Sequence, residues 1–207
     1  MKLFLASAFD QSVKSFEEKV EKLQGKKVIF IENPSDNHTG DKWWVRIDRE
    51  AFEKNGATII DADLRDITYK ELEQKCDSAD IVHFCGGSAL YTISLLKEKG
   101  LAEIIVKYVR NGKLAYTGTS AGSMIVSEDL SLGRFDPEEK PSADKMEDFS
   151  GLGLVNFLIM PHANNKDFAG GNAEAVKHLP DYSQPLFFLY DGQALLVDDN
   201  HIEITGS

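Results

Sequence analysis

The chain has 207 residues, 42% of them hydrophobic and 28% charged, an ordinary globular composition that excludes a disordered or fibrous protein and predicts a single domain over 1–207. With 34 acidic against 23 basic residues the net charge is −11, so nucleic acid and anionic membrane surfaces are poor partners. Cys76 and Cys85 form neither a C-x-x-C nor a metal-type spacing, which argues against a disulfide framework or a structural zinc and for reduced thiols in a cytoplasmic protein.

Met1–Ala8 has a positive start, a short apolar stretch and an A-x-A, a faint echo of a signal peptide. Asp10 follows at once, so Leu3–Ala6 reads as a first buried strand. Gln11–Leu23 places Val13, Phe16, Val20 and Leu23 at helical spacing, with Gly25 as the stop. Val28–Ile31 is a second strand, broken by Asn33-Pro34-Ser35. Trp43–Glu53 reads as a helix whose Trp43-Trp44 pair is expected in the core, Ala57–Ile60 as a strand, and Tyr69–Cys76 as a short helix. Ile81–Phe84 is a strand ending at Gly86-Gly87. Ser88–Lys99 and Ala102–Asn111 are helical, Leu114–Tyr116 is a strand and Ala121–Ser127 a helix. Residues 128–150 are rich in charge and proline and read as a long mobile surface loop, either a lid over a site or a solvated insertion. Phe157–Met160 is a strand running into Pro161-His162, and Asn172–Leu179 a weak helix. Leu186–Leu189, Ala194–Val197 and His201–Ile204, with turn residues between them, form an antiparallel ending.

Near-continuous Val/Ile/Leu strands alternating with helices imply an α/β fold: a three-layer, mostly parallel sheet with helices on both faces and a short antiparallel C-terminal ending. No stretch approaches the roughly 20 apolar residues of a membrane span.

Gly118-Thr119-Ser120-Ala121-Gly122 is the most informative segment. It is a G-x-S-x-G set between an apolar strand and an apolar helix, the context of a nucleophile elbow. On such a turn the serine oxygen projects from the sheet edge, and the N–H of Ala121 can face a developing oxyanion. Among five histidines, His83 alternates with apolar neighbours and reads as core. His38 lies in a polar loop, His178 ends a helix and His201 follows an acidic turn. His162 sits just past an apolar strand, where parallel-sheet sites form, and is the best base. Asp191, at the end of the next apolar strand, is the leading candidate to orient it, with Asp136 and Asp144 as the other options. Gly86-Gly87 lets backbone approach a ligand and can offer a second oxyanion N–H; the adjacent Cys85 reads as a buried apolar thiol. No metal-ligand spacing is present, so no cofactor is expected.

Together, Gly86-Gly87-Ser88-Ala89-Leu90, Gly118-Thr119-Ser120-Ala121-Gly122-Ser123, Pro161-His162-Ala163-Asn164-Asn165 and Asp191-Gly192-Gln193-Ala194 resemble the dipeptidase E (aspartyl dipeptidase) family of serine peptidases, which includes cyanophycinases. The resemblance covers nearly the whole chain. It implies a fold like that of class I glutamine amidotransferases with serine in place of the cysteine nucleophile. It also implies Ser120 as nucleophile, His162 as base, and Gly87 and Ala121 as the oxyanion hole. Some members carry the acid on the loop after the elbow and others in a D-E-G-type turn; this chain matches the second at Asp191, with Asp136 in reserve. Within the family, the aspartyl dipeptidases proper recognise an N-terminal aspartyl residue through a basic group after the P-H motif. Here Lys166–Lys177 contains no arginine, and neither Lys166 nor Lys177 has the bidentate fork that suits a carboxylate, so Asp-X preference is not expected.

The implied activity is a serine exopeptidase acting on short peptides from the N-terminal end. Two rivals stand beside it. An α/β-hydrolase-type esterase would need the order Ser, acid, His, which His201 with Asp198 and Asp199 fits poorly. A non-catalytic ligand-binding protein of the same fold is the other. The oligomeric state stays open, a homodimer being compatible with the sequence.

Overall fold

The structure is a computed structural model describing all 207 residues. Its centre is a seven-stranded sheet of order β3-β2-β4-β5-β1-β8-β9, formed by β1 (Lys2–Ala6), β2 (Lys27–Ile31), β3 (Thr58–Asp61), β4 (Ile81–Phe84), β5 (Ala115–Thr119), β8 (Gln193–Asp198) and β9 (His201–Gly206). The first five are parallel; β8 runs antiparallel to β1, and β9 antiparallel to β8. Helices α3 (Tyr69–Ser78), α4 (Ala89–Glu98) and α5 (Ala102–Arg110) bury Leu72, Leu90, Ile93, Ile104 and Tyr108 in the core on one face. On the other, α1 (Phe9–Lys19) and α2 (Trp43–Lys54) supply Phe9, Phe16 and Phe52 to a second core with Phe4 and Phe30 of the sheet. Burial from both sides explains the near-continuous apolar character of β1, β2 and β4, in which His83 is the one buried polar residue.

The register decides where loops emerge. Ala6 pairs with Thr119 of β5 and, across the antiparallel ladder, with Ala194 of β8, while Phe84 pairs with Gly118. The C-terminal ends of β1, β4 and β5 therefore share one edge, and the chain entering β8 arrives at the same edge. Ser7, Gly86-Gly87, Ser120 and Asp191 all lie within three residues of a strand there.

Four elements differ from the sequence expectation. Helix α1 ends at Lys19, a turn before Leu23, because the Glu17 carboxylate accepts the Leu23 N–H at 3.1 Å and turns the chain while keeping Leu23 buried. The helix after the elbow, α6, covers only Ala121–Met124; the chain then extends and Ser127 bridges Val155. β7 (Leu186–Phe188) is not part of the antiparallel ending. It pairs in parallel with β6 (Leu158–Met160) in a separate two-stranded sheet, and only β8 and β9 form that ending. A last helix, α8, spans Ala169–Lys177.

The fourth difference is the segment 128–150, which is packed rather than a loose surface loop. It holds a 3₁₀ turn at Ser131–Phe135, α7 (Lys140–Ala143) and an Asp129–Ser150 bridge, with Met146 and Phe149 against the larger core. Its anchor is Glu139, only 6% exposed, whose carboxylate accepts from Ser88 Oγ (2.5 Å), Ala89 N (2.5 Å) and Leu90 N (3.2 Å). These N–H groups open α4 and have no intrahelical acceptor, so a distant acid does the work of a local cap. Burial pushes the Glu139 carboxyl above the usual carboxylate range, against the pull of these hydrogen bonds. Glu139→Ala leaves the buried donors unpaired and is expected to cost about 2 kcal/mol. Thermal denaturation should show this as a melting point lowered by roughly 4–8 °C for a domain of this size.

Candidate active site

Ser120 joins β5 to α6 with φ 51° and ψ −114°, a conformation that strains any residue with a side chain. The surroundings over-determine it. Ser120 N donates to Ala6 O (3.0 Å), and Ser120 O accepts from Ser123 N (2.8 Å) and Met124 N (3.1 Å). Ser123 Oγ, fully buried, lies 2.7 Å from Ala6 O and 2.8 Å from Gly118 O. Glycine at 122 is a requirement of space: a Cβ there would lie 2.1 Å from Phe84 O, and Tyr116 Oη holds the Gly122 carbonyl at 2.5 Å. These contacts are the local reason for the G-x-S-x-G pattern.

His162 follows β6 and Asp191 follows β7, so the pairing of those strands brings the two together. His162 Nδ1 is 2.6 Å from Asp191 Oδ1. The ring is stacked on Phe168, centroids 4.2 Å apart and planes 19° apart. Burial raises the Asp191 carboxyl, but hydrogen bonds from His162, Ser7 and Asn165 and the charge of His162 outweigh it and hold the group below the usual carboxylate range. An ionised carboxylate only accepts, so Nδ1 carries a proton, and in the neutral imidazole this leaves the lone pair on Nε2. No side chain or backbone group of the protein hydrogen-bonds to Nε2.

The organising residue is one the sequence reasoning missed. Ser7, fully buried at the end of β1, accepts the His162 backbone N–H (2.8 Å) and donates to Asp191 Oδ1 (2.9 Å), with its oxygen 3.3 Å from His162 Nδ1. It holds His162 at φ 58°, another strained backbone. Asn165 Nδ2 donates to Asp191 Oδ2 (3.2 Å), and Asp191 N donates to Asn164 Oδ1 (2.9 Å). The only sequence signal for Ser7 was its place, a small polar residue closing an apolar strand.

Ser120 and His162 make no direct hydrogen bond. They are linked through β1, whose Ala6 carbonyl holds the elbow and whose next residue, Ser7, holds the imidazole and its acid. On the other side of Ser120, the Gly87 and Ala121 N–H groups donate to no acceptor in the protein. Gly87 has φ 147°, and a Cβ there would lie 2.0 Å from Pro34 O, so only glycine fits.

The remaining candidates lie elsewhere. Asp136 accepts from Glu138 N and Asp144 pairs with Lys140; neither touches His162. His83 is core, as expected, bonded through Nδ1 to Thr117 Oγ1 and ringed by Phe9, Phe30 and Phe52, with Nε2 3.4 Å from the buried Asp48 carboxylate. His178 stacks on Phe135, and His201 is exposed on β9. Cys85 is buried, and burial pushes its thiol well above the usual range, which leaves it inert. Trp43, expected in the core, is 54% exposed, whereas Trp44 reaches the site and donates to Gly86 O. No helix is long and apolar enough to cross a membrane.

Known proteins carry the same arrangement of chain. An uncharacterized peptidase of Pasteurella multocida is 30% identical over 208 residues, covering 100% of this chain and 98% of its own. A peptidase E of Streptomyces coelicolor is 38% identical over 93 residues, 45% of this chain and 36% of its own. A cyanophycinase of Trichormus variabilis is 29% identical over 140 residues, 63% of this chain and 45% of its own. Among solved structures, a Listeria monocytogenes protein provisionally assigned as a peptidase E superimposes with a TM-score of 0.89 at 25% identity, covering 100% of this chain and 98% of its own. The model of peptidase family S51 matches residues 3–205, and the chain accordingly belongs to that family of peptide-bond hydrolases.

Proposed function

We propose that the protein is a serine exopeptidase that removes residues from the N-terminal end of short peptides. The observation that carries this is the Asp191–His162 pair, seated by Ser7 on the sheet edge that also bears the strained Ser120 elbow. Restriction to short peptides and to the N-terminal end is what the resemblance to the dipeptidase E family implies, and relatives carry the name peptidase E.

In the proposed reaction Ser120 Oγ attacks the scissile carbonyl and its proton passes to His162 Nε2. The bond to Asp191 keeps the imidazole in the tautomer that presents this lone pair and stabilises the imidazolium that forms. The carbonyl oxygen becomes an oxyanion facing the free N–H groups of Gly87 and Ala121, an interaction worth about 3 kcal/mol per donor in related geometries. His162 then returns the proton to the leaving amine, an acyl-enzyme remains on Ser120, and water activated by the same histidine releases it. With no arginine in Lys166–Lys177, an N-terminal aspartyl preference has no bidentate partner.

Ser120→Ala should abolish hydrolysis across a dipeptide library with varied N-terminal residues, and labelling by a fluorophosphonate should map to Ser120. Full activity in that variant, or turnover of aryl esters without cleavage of any peptide, would overturn the proposal. Asp191→Asn is expected to lower kcat roughly a thousand- to ten-thousandfold by freeing the wrong tautomer. Ser7→Ala, which disturbs placement alone, is expected to lower it roughly ten- to a hundredfold. Hydrolysis must fall on acidification because the imidazole has to be neutral to accept a proton. Because Asp191 is held ionised below the usual 3.8, a single protonation governs that limb, and log kcat/KM should drop with a slope of one.

A further inference from the structure

The Gly86–Gly87 peptide carries an oxyanion donor between two glycines. Such a unit has little of its own to keep it from flipping, since neither flanking residue has a Cβ to restrict the rotation. A trans peptide points its C=O and N–H in opposite directions within one plane, so fixing the carbonyl of Gly86 also fixes the direction of the Gly87 N–H. A flipped unit would present a carbonyl oxygen to the developing oxyanion and repel it.

The carbonyl is fixed from α2. Trp44 Nε1 donates to Gly86 O at 3.0 Å, supplemented by a weak contact from Cys85 Sγ at 3.3 Å. The indole lies right beside the reacting group: a Cβ built on Gly86 would lie 3.4 Å from Trp44 Cδ1 and 3.6 Å from Ser120 Cβ. The indole is itself braced edge-on by His38, centroids 4.6 Å apart, and by Trp43, 6.0 Å apart. On the far side, Ser88 N donates to Pro34 O at 2.8 Å and anchors the chain after Gly87. Resting on the assignment of Ser120 as nucleophile, we propose that Trp44 is a positioning residue of the oxyanion hole, its indole N–H locking the Gly86 carbonyl so that the Gly87 N–H stays aimed at the transition state.

The role belongs to one N–H and not to the bulk of the ring, which makes it separable from packing. Replacement of Trp44 by β-(3-benzothienyl)alanine keeps the shape and substitutes sulfur for N–H; Trp44→Phe is the genetically encoded counterpart. On a dipeptide the wild type cleaves, kcat of both variants should fall on the order of 10–100-fold, somewhat less than the loss of an oxyanion donor itself. In the benzothienyl variant KM should stay unchanged and the melting temperature should shift little, because ground-state binding and ring packing are kept. Affinity for a peptide aldehyde, which forms a tetrahedral adduct on Ser120, should fall in parallel with kcat/KM. A benzothienyl variant with wild-type kcat, or one whose loss appears only in KM or in melting temperature, would overturn the inference while leaving the serine mechanism intact. Wild-type protein without hydrolysis that Ser120→Ala removes would overturn both.

Discussion

The end of β1 is the point on which the rest of the site depends. One backbone carbonyl, Ala6 O, accepts from Ser120 N and lies within hydrogen-bond reach of Ser123 Oγ, and so holds the elbow. One hydroxyl, that of Ser7, accepts from His162 N and donates to Asp191, and so holds both members of that pair. Three stretches of chain, the elbow, His162 and Asp191, are thereby referred to a single strand terminus in the interior of a sheet. β1 is flanked by β5 and β8, and all of its residues after Lys2 are buried. A site hung on a buried strand paired on both edges inherits its precision from the core.

Rigidity is needed because both principal residues are strained. Ser120 and His162 have positive φ without being glycine, a cost of about 1–3 kcal/mol each. Such backbones persist only where surrounding bonds allow no alternative. At Ser120 those bonds come from β1 and α6; at His162 they come from Ser7, from the Asn165 N–H on its carbonyl, and from Ala163 N donating to Leu189 O. Glu139 extends the same logic to the oxyanion side, tying the segment after the elbow to the first turn of α4, directly behind Gly87-Ser88.

Chain order also bears on the class of hydrolase. The proposed nucleophile, base and acid follow as Ser120, His162, Asp191, the last two just past neighbouring strands of a two-stranded sheet outside the main one. The esterase order, with the acid between serine and histidine, has no counterpart here, since Asp136 and Asp144 are engaged within their own segment.

Most of the architecture was legible because it is written in local periodicity. Apolar runs of four or five residues marked the strands, and the 3.6-residue spacing of Phe16 and its neighbours marked the helices. The elbow was legible because glycine is obligatory where β5 and α6 backbones meet, and His162 and Asp191 because each ends an apolar strand. What periodicity could not carry was long-range pairing. That β7 joins β6 instead of β8, that segment 128–150 packs down on a buried glutamate, that Ser7 touches both His162 and Asp191, and that Trp44, at the margin of the smaller core, donates to Gly86 are decided by contacts between residues 28 to 184 positions apart. A single sequence records the chemistry of each such group, whereas only the folded chain supplies the neighbour that gives it a partner.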